Sequence, residues 1–108
     1  MVRIAGPRVI ILNNLAAVFI DRRNPDSAAA YLERARRELH NVDSERLTAE
    51  VAYSTGRVWR LRGQPDSAIV SYRRALAVAE PLHQPDLLLG PLLELGELLV
   101  GRDPHDPT

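Results

Sequence analysis

The tetrapeptide Pro-Asp-Ser-Ala stands at residues 25–28 and again at residues 65–68, 40 positions on. Sliding the chain by that interval also sets Ala35 on Ala75, Phe19 on Trp59, Ala16 on Gly56 and Val18 on Val58. Over residues 7–40 against 47–80, eight of 34 pairs are identical. A second slide sets Leu92 on Ala52, Leu95 on Thr55, Gly96 on Gly56, Leu99 on Trp59 and Arg102 on Arg62. Self-similarity at such a period means copies of one supersecondary unit. A single unit cannot bury both of its faces, so the copies must stack.

The unit is a helix hairpin. Residues 7–22 form an apolar stretch that ends at Arg22-Arg23-Asn24-Pro25; Asn24 precedes a proline, and Pro25 suits the first turn of a new helix. Ala28, Tyr31, Leu32, Ala35 and Leu39 then follow at helical spacing. The pattern breaks over residues 40–44, where Asp43 or Ser44 is a candidate N-cap. Val51, Ala52, Thr55, Val58, Trp59 and Arg62 mark a third helix, stopped at Gly63-Gln64-Pro65, and Ala68, Ile69, Tyr72, Ala75, Leu76 and Ala79 mark a fourth. After a break over residues 81–85, with Asp86 as a candidate cap, a leucine-rich fifth segment runs to about Gly101, and Gly90-Pro91 makes its start uncertain. No stretch alternates with the period of a strand. Small residues (Ala16, Gly56, Ala28, Ala68, Ala35, Ala75) let paired helices approach, and Phe19, Trp59 and Tyr72 are expected to fill the space between successive hairpins. The order is helix A, B, A, B, A, with Asp106 aligned on Asp66 where a third helix B would begin.

These residues resemble the tetratricopeptide repeat family, whose pattern asks for Leu-Gly, an aromatic, a turn Gly, Ala, an aromatic, Ala and Pro. The second copy supplies Thr55-Gly56, Trp59, Gly63, Ala68, Tyr72, Ala75 and Pro81. The first is poorer, with Leu15-Ala16, Phe19, Ala28, Leu32 and Ala35, Arg23 at the turn and His40 for the proline; the third offers Leu95-Gly96 and Leu99. The usual period is about 34 residues, and the longer one here is similar to variants in kinesin light chains and in bacterial signal-sensing regulators. The expected fold is all-α: a right-handed α-solenoid of antiparallel hairpins, five helices in about two and a half repeats. Its limits are about residues 7–42, 43–82 and 84–102, with a disordered tail over 103–108.

The resemblance implies a protein-binding module whose A helices line a concave groove. If Ala52, Gly56 and Trp59 face neighbouring helices, the next stripe of the central A helix is Tyr53, Arg57 and Arg60, with Glu50 one turn before. Its counterparts are Asn13, Ala17 and Ile20 in the first copy, and Leu93, Glu97 and Val100 in the third. Two arginines and a tyrosine suit the carboxylate or acidic side chain of an extended peptide beside an apolar anchor. The lysine- and asparagine-based carboxylate clamp of the family is not reproduced, since the chain has no Lys. The structural alternative has Arg57 and Arg60 solvated or paired with Glu50, and Asn13 bonded to a neighbouring helix to fix register.

Composition excludes several other functions. The 14 basic residues, all Arg, balance 14 acidic ones, so no global field recruits nucleic acid or an anionic membrane. Arg34, Arg36, Arg37, Arg73 and Arg74 gather on the B helices, but Glu33 and Glu38 interleave with them. There is no Cys, hence no disulfide and no thiolate metal site. No leader or membrane-length apolar run is visible, and a soluble, cytoplasmic protein is expected. The three histidines, His40, His83 and His105, fall in or beside predicted loops without helical pairing; the acidic neighbours of His105, Asp103 and Asp106, read as tail. Glu94 and Glu97 lie one turn apart with no pocket implied, and Ser27 and Ser67 belong to the hairpin joint. No catalytic grouping, phosphate loop or zinc spacing appears. No cofactor, metal or catalysis is expected.

The fifth helix carries too many leucines. Leu92, Leu95 and Leu99 suffice to cover the second hairpin, leaving Leu88, Leu89, Leu93 and Val100 on the other side. A helix apolar all round is expected to be buried all round, by a missing helix B of a longer parent protein or by a second copy of this chain, and a homodimer built on this helix is the expectation. Two further readings are a self-assembling structural protein and a signal-sensing fragment of a bacterial transcription regulator.

Overall fold

The computed structural model describes residues 5–101; Arg102, the tail residues Asp103, His105 and Asp106, and the disorder expected over 103–108 lie outside the described residues. Five helices follow one another: α1 (Ala5–Asp21), α2 (Pro25–Glu38), α3 (Glu45–Leu61), α4 (Pro65–Ala79) and α5 (Pro85–Gly101). They pack as adjacent antiparallel pairs. In addition α3 touches both α1 and α5, so the A helices form a row.

The joints explain the repeat. At the end of α1, Asn24 N–H donates to the Phe19 carbonyl at 2.8 Å and Arg23 N–H to Ile20; at the end of α3, Gln64 N–H donates to Trp59 at 2.9 Å and Gly63 N–H to Arg60. This is the same helix-ending motif twice, and it requires a left-handed residue at its corner. Gly63 takes that corner at φ +70, and Arg23 takes it at φ +57. Asn24 then caps α2 by accepting from Ser27 N–H at 3.2 Å, and Pro25 and Pro65 occupy first-turn positions whose lost N–H costs nothing. Ser44 caps α3 through Leu47 N–H at 3.2 Å. Asp86 is not a cap. Helix α5 begins at Pro85, and Asp86 lies in its first turn, where a carboxylate suits the helix dipole.

Most of the buried apolar side chains of α1 and α2 form one cluster with Val51 and Val58 of α3, centred on Val9, Leu12, Ala16, Ile20, Ala28, Leu32 and Ala35. A smaller cluster, Ala49, Ala79 and Leu87 with Leu88 and Leu82 beside it, seats α5. Ile20, expected on the groove stripe, is packed in the first of these clusters and also borders the cleft beside Arg57 and Arg60. Tyr72 is fully buried and lies over Gly56, where a Cβ would meet the ring at 2.5 Å. It thus fills the inside of its own hairpin, and Phe19 stacks on Tyr31 of its own hairpin at 5.6 Å. Trp59 lines an inter-hairpin cleft with Leu32 and Arg36 of α2, and Tyr72 reaches the next repeat through its hydroxyl, which bonds Glu94 of α5.

Helix α5 is continuous through Pro91, and its register differs from the expectation. Leu87 and Pro91 are buried, and Leu95 is half-buried, while Leu92 and Leu99 are exposed. Gly90 has a positional reason. A Cβ there would stand 2.7 Å from the Tyr53 ring, so the glycine lets α5 approach α3.

Candidate functional site

The row of A helices brings the expected residues together along α3. Asn13 and Ala17 of α1, Glu50, Tyr53 and Arg57 of α3, and Gly90 of α5 line a cleft of about 280 Å³. A second cleft, of about 520 Å³, is lined by Ile20, Asp21, Arg23, Arg57, Arg60 and Glu94. Arg57 belongs to both. Leu93 and Glu97 line neither cleft, although Glu97 is tied to this surface through Arg60.

At the centre stands a carboxylate that the groove stripe did not include. Glu94 accepts hydrogen bonds from the Tyr53 hydroxyl, from the Tyr72 hydroxyl at 3.1 Å and from Arg60 Nη1 at 3.3 Å. Arg57 Nε lies 4.0 Å away, and the Glu94 side chain is only 19 % exposed. A part-buried carboxylate needs such hydrogen-bond partners to offset the water it gives up. Burial, and then the hydrogen bond to Glu94, pushes the Tyr53 hydroxyl up to about 12, and the same causes raise Tyr72. Both tyrosines therefore act as neutral donors. The Tyr53 and Tyr72 rings meet at 5.9 Å, and the Arg57 guanidinium lies 5.9 Å over the Tyr53 ring, a cation–π arrangement.

The arginines pair with acidic groups, but not with Glu50. Arg57 reaches Asp21 at 3.3 Å, and Arg60 reaches Glu97 at 2.9 Å, a bond that raises the Arg60 pKa further. Glu50 instead pairs with Arg46 at 3.4 Å; Arg46 also bonds Gln84 and holds Asp86 at 2.6 Å, which lowers the Asp86 pKa. Asn13 accepts from the buried Ser54 hydroxyl at 2.7 Å, joining α1 to α3 as the register reading had it, while still lining the cleft.

Glu94 was legible as a signal, though not as a site. On the 40-residue slide it falls on Ser54, an inner-face position, and a carboxylate there among leucines has to find donors. What the sequence alone does not reveal is that two tyrosines from different helices supply them.

Among the described residues no group of three His, Cys, Asp or Glu is placed to hold a metal ion, and no helix is long and apolar enough to cross a membrane. No curated protein and no solved structure matches the chain. A family model described as tetratricopeptide repeat matches residues 8–80, both complete hairpins. With that match, the repeated joints and the antiparallel pairs in agreement, the chain belongs to the tetratricopeptide repeat family.

Proposed function

We propose that the row formed by α1, α3 and α5 binds an extended segment of a protein partner, with an acidic group of that segment held by Arg57 and Arg60. Tetratricopeptide repeats generally serve as protein–protein interaction modules, typically without catalysis. The observation that carries the finer reading is the meeting of two clefts at Arg57, beside a guanidinium pair whose outer partners are weakly held. Asp21 and Glu97 are 74 % and 62 % exposed, so their ion pairs contribute about 0–1 kcal/mol each and yield to a ligand carboxylate. Glu94, with its tyrosine donors, stays in place and keeps both arginines aimed outward.

The test is an array of acidic and charge-neutral peptides probed with the full chain and with Arg57→Gln/Arg60→Gln. Glutamine is chosen because Glu94 keeps both tyrosine hydroxyls, so the fold is spared. Saturable binding of the acidic set, weakened by salt and lost in the double variant at unchanged helicity, is the expected result. Equal binding of the same peptides by both proteins rejects the reading.

A further inference from the structure

The corner between α1 and α2 holds a residue that the turn alone does not call for. On the 40-residue register Arg23 stands where the second repeat has Gly63, and both take the left-handed conformation that the joint requires, at φ +57 and +70. Glycine enters that region freely, whereas the Cβ of an arginine is crowded against its own backbone there. The joint gains nothing from the guanidinium. Its backbone bonds are the same in both copies, and Asn24 supplies the cap. Strain of this kind persists where the side chain has another use.

That use lies in the larger cleft, which Arg23 lines together with Arg57 and Arg60. Arg57 is engaged with Asp21 and Glu94, and Arg60 with Glu94 and Glu97. Among the described residues the Arg23 side chain has no ion pair or hydrogen bond. Asp21 is only two positions away, but its carboxylate goes to Arg57. Once a ligand acid takes the place of Asp21, three guanidiniums along the cleft face Glu94 alone, an excess that one carboxylate does not balance.

We infer that Arg23 is a specificity-determining residue of the groove, taking a second acidic side chain of the bound segment beside the one held by Arg57 and Arg60. The inference rests on the assignment of that pair. It makes the preferred ligand a segment with two neighbouring acidic residues, and it carries the groove off the A helices onto the joint that ends α1. An extended segment advances about 3.3 Å per residue and turns alternate side chains to one surface. Two acids with one residue between them therefore meet the pair and Arg23 from the same side.

The probes are peptides on a shared Gly-Ser-Ala frame, blocked at both ends and labelled with a neutral dye. They carry no glutamate, one glutamate, or two glutamates with one residue between them. Each is titrated by fluorescence anisotropy at low salt into the full chain, Arg23→Gly, Arg23→Gln and Arg22→Gln. The parent chain should prefer two glutamates over one by roughly three- to fivefold, the range open to one exposed charge pair. Both Arg23 variants should erase that preference and bind the one-glutamate peptide as the parent does. Arg22→Gln removes the same charge from a neighbour that does not line the cleft, and should keep the preference. Glycine releases the strained corner and glutamine retains it, so a loss common to both belongs to the guanidinium. A parent chain that binds both acidic peptides equally, or a preference that survives in the Arg23 variants, overturns the inference and leaves the pair standing. So does an equal loss on both acidic peptides, which would mean that Arg23 only receives the displaced Asp21. If neither acidic peptide binds the parent chain, the assignment of Arg57 and Arg60 fails and the role of Arg23 with it.

Discussion

Two glycines at the same place in the repeat have opposite surroundings, which makes them a controlled pair. Gly56→Ala would force a Cβ to 2.5 Å from the fully buried Tyr72 ring. That ring cannot withdraw without opening the hairpin, and a cost on the order of 1–3 kcal/mol is expected in thermal denaturation. Gly96→Ala meets nothing, and in a helix interior it should raise stability by up to about 1 kcal/mol. The Tyr53 hydroxyl gives a pH test. Its folded pKa is raised to about 12 from 10.0, so the protonated form is the one that folding favours. The stability it contributes is fully present below about pH 10 and is lost as pH climbs through about 12. Urea midpoints measured over that window should fall, and less steeply in Tyr53→Phe, where only one tyrosine hydroxyl remains on Glu94 beside Arg60.

Helices and joints were the most legible layer. Pro-Asp-Ser-Ala announces a helix start by itself, and the equivalence of Arg23 with Gly63 marks the turn before it. The sequence could not say that Arg23 keeps the left-handed conformation that Gly63 adopts freely. A non-glycine residue there costs on the order of 1 kcal/mol, so Arg23→Gly is expected to stabilise the chain by about that amount in chemical denaturation. A destabilised variant would mean that the Arg23 side chain contributes more in its cleft than its backbone costs. The register of α5 was not legible. A helix with leucine on every side satisfies several rotations equally, and the slide that aligned Leu92 and Leu99 with inner positions found the right equivalents but the wrong consequence. Those positions face a helix B, and among the described residues the third hairpin has none. The choice is made by Glu94, which must reach Tyr53, Tyr72 and Arg60, and by Gly90, where the Tyr53 ring lands. Both constraints come from side chains on other helices, which no local pattern contains.

At the scale of the molecule, hairpins stacked in a row give an elongated body of 57 × 31 × 18 Å with a radius of gyration of 14.3 Å. A compact chain of this length would have about 13 Å. The elongation follows from stacking along the row: among the described residues α1 packs on α3 and α3 on α5, so the main contacts between repeats run between neighbouring ones. Along α3, Glu50, Tyr53, Arg57 and Arg60 recur at helical spacing and line the two clefts. Across helices, Ile20 is packed in the core while bordering the larger cleft, and Leu93 stands outside both clefts. The groove depends on one register: Tyr72 over Gly56, Tyr53 over Gly90, and Gly96 bare. A nuclear Overhauser experiment on the free chain, with tyrosine rings and glycines selectively labelled, reads that register directly. Cross-peaks from the Tyr72 ring to Gly56 Hα and from the Tyr53 ring to Gly90 Hα are expected, with none from any tyrosine ring to Gly96. A tyrosine cross-peak at Gly96, or its absence at Gly56, would contradict the register and remove the groove with it.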